Sequence, residues 1–195
     1  IMAAADPMGP IARPAAIVAF ACAIALPVTA QETSSGQRLD QFLGDFVLAA
    51  CRNSTGRTQP GLQAGSCTRL IDSGSLGPND LVIAHILRGS ARWRIDNAQY
   101  AETNRDSAVA DFATAIRLDP QLAWTELDRR VNGDLDPVLE GEPPRVAGAG
   151  PHYLYARGLA ALRLGRADEG RADMARATEI MPRIAEMFAR HEREP

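Results

Sequence analysis

Cys51 and Cys67 are the residues of this chain whose types and spacing come closest to a chemistry, lying 16 residues apart. A metal or redox pair would call for CxxC spacing or histidines close by, and the sequence offers neither. The other chemistry-bearing residues are dispersed. His85, His152 and His191 stand apart, with no HExxH pair and no cysteine at zinc spacing. No serine sits in a GxSxG elbow, and no glycine run leads into GK[ST]. The acidic stretch DLDPVLEGE, Asp134 to Glu142, lacks the alternating ligands and central glycine of a calcium loop. Asp111, Asp119, Asp128, Asp134 and Asp136 are expected on helix surfaces or turns. The sequence thus assigns no catalytic residue, no metal and no cofactor, and it points away from an enzyme.

The cysteine chemistry depends on the compartment. Arg13 gives a positive flank, Ala15 to Leu26 is apolar, and Pro27-Val28-Thr29-Ala30 supplies small residues before Gln31. This is a signal-peptide pattern over residues 1–30, with cleavage expected after Ala30 and Met8 as the more conventional start. The apolar run is too short to span a bilayer. A lipid anchor on Cys22 is disfavoured, because Phe20 fits poorly before it and the apolar run continues beyond. Export to the periplasm or exterior removes Cys22 with the signal and leaves an even pair in an oxidising compartment. That pair reads as one Cys51–Cys67 disulfide, which would stabilise the fold by roughly 3 kcal/mol.

The chain has 195 residues, 46% hydrophobic but only 5% aromatic, and its many Ala and Leu favour close-packed helices. Its net charge of -3 is spread out, so no basic footprint suggests nucleic acid. All 21 basic residues are arginine. We read this as codon usage in a GC-rich genome rather than as carboxylate or phosphate recognition.

After a polar linker at 31–36, the apolar residues Leu39, Phe42, Leu43, Phe46 and Leu48 form a helical stripe from about Gln37 to Asn53. A second short helix runs from Leu62 to Asp72, so the disulfide would staple a hairpin within residues 37–76. Asn79 or Asp80 is expected to cap the next helix, Leu81 to Arg94. Its partner runs from Asn104 to Leu118, with residues 97–103 as either a loop or a helix extension. Gln121 to Val131 forms a further helix. Residues 133–151, rich in Pro and Gly, read as an irregular insertion. Tyr153 to Leu164 and Ala167 to Ile180 make a hairpin turned by Gly165. Pro182 opens an amphipathic final helix bearing Ile184, Met187, Phe188 and His191.

Two segments share one spacing. Ala108, Phe112, Ala115 and Pro120 are 4, 3 and 5 residues apart, and so are Gly170, Met174, Ala177 and Pro182. Small, large and small residues thus recur on one helical face before a proline, the pattern of stacked helical hairpins. The segment YLYARGLAALRLGRADEGRADMARATEIMP, Tyr153 to Pro182, resembles a tetratricopeptide repeat. Arg105 to Pro120 looks like the second helix of another repeat, with Leu81 to Arg94 as its first. Cys67 to Gly74 is similar to a degenerate opening repeat of exported bacterial members. Pro120 and Pro182 are 62 residues apart, against a family period of 34. The segment 121–150 is therefore a degenerate helix plus insertion between repeats at 79–120 and 151–184.

The resemblance implies an all-α, short right-handed α-solenoid of helix–turn–helix repeats, capped by a helix at 182–192. It also implies a concave groove for a protein or peptide, lined by Ile83, Ile86, Ser90, Trp93 and Arg94 from one hairpin. His152, Tyr155, Leu159, Leu162 and Arg163 would line it from the other. The expected function is a non-catalytic binding scaffold of the bacterial periplasm or envelope, with no nucleic acid and no stable membrane insertion. A self-associating structural subunit is the alternative, and an envelope-polymer hydrolase ranks third.

Overall fold

Proline and glycine set the helix boundaries for local reasons. In the structure, a computed structural model, residues 43–54, 56–95, 99–132 and 150–192 are described. They form α1 (residues 43–52), α2 (Pro60–Asp72), α3 (Pro78–Trp93), α4 (Ala101–Leu118), α5 (Pro120–Val131), α6 (Pro151–Arg163), α7 (Ala167–Ile180) and α8 (Ile184–His191), with no strand among the described residues. All belong to one unit spanning residues 38–195. The expected signal segment, the linker, Leu39, Phe42, residues 97 and 98 and insertion residues 133–149 lie outside the described residues.

Pro60, Pro78, Pro120 and Pro151 each open a helix, where the missing N–H is one that the first turn leaves unpaired anyway. This corrects the expected cap of α3: the helix starts at Pro78 with Gly77 as its N-cap, so Asn79 and Asp80 lie inside the first turn. Asp119 ends α4 in an extended conformation and its carboxylate accepts the Leu122 N–H at 2.9 Å, so one residue closes α4 and caps α5. Gly165, at φ 78°, sits where the chain must turn left-handed after α6. The Arg166 N–H bonds back to the Ala161 carbonyl at 2.9 Å and the Gly165 N–H to Leu162 at 3.1 Å, a Schellman closure. Pro182 does not open the final helix as expected. It lies in a turn, and α8 begins at Ile184.

The two hairpins with matching spacing cross in the same way. A methyl placed on Gly158 would lie 2.8 Å from the Gly170 carbonyl and 2.7 Å from Met174 Cγ. On Gly89 it would lie 3.0 Å from the Ala108 carbonyl and 3.1 Å from the Phe112 ring. Gly89 and Gly158 therefore occupy equivalent crossings, one facing Ala108 and Phe112, the other Gly170 and Met174. The seven additional residues of the first hairpin divide between a longer connection and an earlier start of α4 at Ala101.

Each described helix from α2 onward packs on its sequence neighbour, and α3–α5, α4–α6, α4–α8 and α6–α8 also pack. One core runs through α3 to α8, with Ile86, Phe112, Ile116, Leu127, Ile184 and Phe188 fully buried. Each such side chain contributes roughly 1.5–3 kcal/mol by leaving water. Cys51, Cys67 and Leu87 make a smaller cluster, joined by Leu70 and Ile83. The two sulfurs are 2.11 Å apart, at disulfide distance, linking α1 to α2. The stripe expected on α1 is only partly covered: Leu43 and Phe46 are about half exposed.

Replacing Gly158 by Ala should destabilise the protein by about 1–3 kcal/mol, although Ala is the better helix former, because the added methyl pushes α7 away. Urea unfolding checks this, and an unchanged or raised midpoint would mean that the helices do not approach as closely as described.

Candidate functional site

Each hairpin is latched by an arginine one residue before its crossing glycine. Arg88 on α3 grips Asp111 of α4 with Nε at 3.0 and 3.1 Å from the two carboxylate oxygens and Nη2 at 2.7 Å. Arg157 on α6 grips Asp173 of α7 with Nε and Nη2, both at 2.7 Å. Both carboxylates are buried. Such forks suit guanidinium, whose donors match the carboxylate geometry. Asp111 is therefore not on a helix surface, as expected from sequence, but 3% exposed beneath α3. His85 Nδ1 at 3.1 Å and Arg92 Nη1 at 2.7 Å complete its shell. Burial alone would raise its pKa, but the His85 and Arg88 hydrogen bonds and the charges of Arg92 and Arg88 outweigh it and hold the carboxyl below its ordinary range.

The second latch reaches further. Arg157 Nη1 also bonds Asp128 of α5 at 2.6 Å, tying α5, α6 and α7 through one side chain. The Asp173 hydrogen bond, set against burial and joined by the Asp173 and Asp128 contacts, raises the guanidinium above its already high value.

At the junction of α3, α4 and α6 lies an aromatic cluster. The His152 ring stacks on Trp93 with centroids 4.2 Å apart and 22° between planes. It lies 4.0 Å from Tyr153 and 5.8 Å from Phe112. His152 is buried, and burial, then the positive charges of Arg130 and Arg94, lower its pKa to about 3. The imidazole is therefore neutral at ordinary pH. Its Nδ1 is buried without a hydrogen-bond partner. Trp93 is half-buried, with the Arg105 guanidinium 5.8 Å from its ring centroid. Arg94 donates to Gln63 Oε1, and Gln63 donates at 2.9 Å to the Cys51 carbonyl. The disulfide hairpin thus holds the end of α3.

The residues expected to line a groove divide into three groups. Trp93, Arg94 and His152 come together. Ile86, Ser90 and Leu159 are in the interior, Ser90 bonding the Ile86 carbonyl at 2.6 Å. Tyr155 is also buried, but on the α8 side, stacked on Phe188 at 4.8 Å. Ile83 is half-buried against the disulfide cluster, while Leu162 and Arg163 are exposed at the end of α6. Ile86, Ser90, Leu159 and Tyr155 pack between helices.

Sequence reasoning missed Asp173, Gln63 and Arg130, and gave Asp111 no partner. The two latches did leave a signal. Both hairpins carry an Arg-Gly dipeptide, and in both an aspartate directly precedes the large apolar residue of the repeated spacing. Gln63 and Arg130 left none, since nothing in sequence separates them from other polar helix residues. A shallow cleft at the start of α3 and end of α4, lined by Leu76, Pro78, Leu81 and Leu118, contains none of the expected residues.

Among the described residues no group of three or more His, Cys, Asp or Glu is placed to hold a metal ion, and no helix is long and apolar enough to cross a membrane. Comparison with family models, curated proteins and solved structures gives no match for this chain.

Asp111→Asn should cost about 3–5 kcal/mol, because it leaves the buried Arg88 fork without its counter-charge. Thermal and urea unfolding measure this, and a loss below about 1 kcal/mol would place the latch at the periphery of stability. His152 makes a second prediction. Its folded pKa lies below its ordinary 6.5, so the stability it contributes is complete above pH 6.5 and is lost as the pH falls toward 3. Between pH 7 and 4.5, wild type should lose about 2–3 kcal/mol more than His152→Phe in denaturant titrations. Equal losses would mean that the imidazole is not held neutral.

Proposed function

We propose that this chain is a non-catalytic scaffold that binds a protein or peptide in the bacterial periplasm or cell envelope. In this reading its hairpins form a short right-handed solenoid resembling tetratricopeptide repeats, with α8 as the closing helix. The observation that carries the reading is the repeated hairpin. Arg88-Gly89 against Asp111-Phe112 and Arg157-Gly158 against Asp173-Met174 use one crossing and one latch twice. A fold that repeats a packing device is suited to presenting side chains from successive hairpins on one face. Trp93 and Arg94 supply half-buried groups of the kinds that anchor interfaces.

Export is supported by the signal-like residues 1–30 and by two cysteines at disulfide distance, since such bridges persist in oxidising compartments. The alternative, a structural subunit acting by self-association, is favoured by one observation: Leu43, Phe46 and Leu62 leave apolar area exposed on the disulfide hairpin.

The readings separate by experiment. The purified, non-reduced protein should run as a monomer in size exclusion with light scattering and should show no free thiol to labelling. As bait in native envelope extract it should retain a defined partner that Trp93→Ala and Arg163→Glu weaken, while both variants keep the wild-type helical spectrum. A stable oligomer broken by Phe46→Ser would replace the scaffold with the structural subunit.

A further inference from the structure

Arg130, in the last turn of α5, is 8% exposed, and its Nε is buried with no hydrogen-bond acceptor. No acidic side chain among the described residues pairs with it, whereas the other deeply placed arginines, Arg88 and Arg157, each meet an aspartate. The carbonyl end of α5 offsets part of the charge, but Arg129 adds another cation to the same turn. A guanidinium removed from water with so little compensation is costly, and the cost falls away when an anion joins it.

A second cation is close by. Arg94 donates to the neutral Gln63 amide oxygen and meets no carboxylate among the described residues. Trp93, next to Arg94, stacks on His152 at the start of α6, α5 packs on both α3 and α6, and the charges of Arg130 and Arg94 both bear on the His152 ring. The walls of that region are His152, with its unpartnered Nδ1, and the half-buried Trp93 stacked on it. Two cations with no carboxylate partner among the described residues and a flat aromatic wall match a planar anion, since guanidinium grips carboxylate by parallel hydrogen bonds.

We propose that Arg130 and Arg94, beside Trp93 and His152, form a binding site for a carboxylate of an acidic peptide segment. This rests on the scaffold reading and names the chemistry of the segment bound. The carboxylate has two conceivable sources, a separate acidic chain or this chain's own Asp134, Asp136, Glu140 and Glu142, which follow Arg130 closely in sequence.

Calorimetric titration of the purified chain with glutarate, against chloride at equal ionic strength, tests the site without any partner. Its failure would therefore leave the envelope capture result standing, and its success would stand without that result. We expect saturable binding that Arg130→Met and Arg94→Met each weaken by roughly tenfold or more. Arg130→Met should also melt no lower than wild type in carboxylate-free buffer, because it removes an unpaired buried charge. If Arg130→Met fails to fold, the wild-type and Arg94→Met titrations still decide the matter. Binding that appears only after Asp134, Asp136, Glu140 and Glu142 are changed to their amides would identify the chain itself as the carboxylate source, with the site intact. No saturable binding in either background, equal binding by wild type and both methionine variants, or tighter binding of inorganic phosphate than of glutarate would overturn the proposal.

Discussion

The structure depends on bringing a guanidinium and a carboxylate together between helices that nearly touch. Glycine makes this geometry available. At Gly158 and Gly170 the backbones of α6 and α7 approach so closely that neither position has room for a methyl. At that separation Arg157 reaches Asp173 with both arms of its fork. Gly89 and Ala108 bring about the same meeting of Arg88 and Asp111. Apolar burial drives the helices together but is non-directional. A bidentate pair one residue from the crossing selects a register along each helix, because a shift by one residue would leave both charges buried and unpaired.

The two latches differ in a way that accounts for the surrounding architecture. Asp111 gathers three side chains of a single helix, His85, Arg88 and Arg92, and so binds α4 firmly to α3. Arg157 divides its donors between Asp173 on α7 and Asp128 on α5. Through it, the helix between the two hairpins is joined to the second one. The last helix completes the enclosure from the other side. Its Ile184, Met187 and Phe188 enter the core, Arg117 of α4 donates to the His191 carbonyl at 2.9 Å, and His191 faces Asp106 at 3.2 Å. The C-terminal turn therefore rests on the first hairpin as well as on its own neighbours α6 and α7.

The N-terminal hairpin is attached by polar contacts and a small apolar cluster. Gln63 receives Arg94 and Asn53 on its oxygen and donates to the Cys51 carbonyl. The residue that positions Arg94 is thus itself positioned beside the cysteine pair. This chain of contacts links the covalent staple to the aromatic and cationic region where Trp93 and His152 stack. Two neutral acceptors, the Gln63 amide oxygen and the Ser90 carbonyl, answer the Arg94 charge there, in contrast to the carboxylates that answer Arg88 and Arg157.

Much of the helical order was legible because helix ends are local chemistry. The aspartate before Pro120 and the left-handed Gly165 act within a few residues, so their meaning survives without a tertiary context, whereas Pro60, Pro78 and Pro151 read from sequence as lying outside the helices they open. The repeated spacing of Ala108, Phe112, Ala115 and of Gly170, Met174, Ala177 correctly marked the faces that pack. Burial of the polar and borderline residues was decided elsewhere. Ile86, Ser90 and Leu159 share helix faces with surface candidates, and only the helices packed over them determine which are covered. His152 and Trp93 are 59 residues apart, and Gln63 reaches Arg94 across 31. Composition gave no contrast among arginines, since every basic residue is one. The amino-acid order by itself determined which segments are helical, where they break to within a few residues, and which stripe is apolar, because those depend on short-range sterics and backbone hydrogen bonding. Which charges are paired was decided only when distant helices met, because electrostatic compensation is a property of neighbours in space.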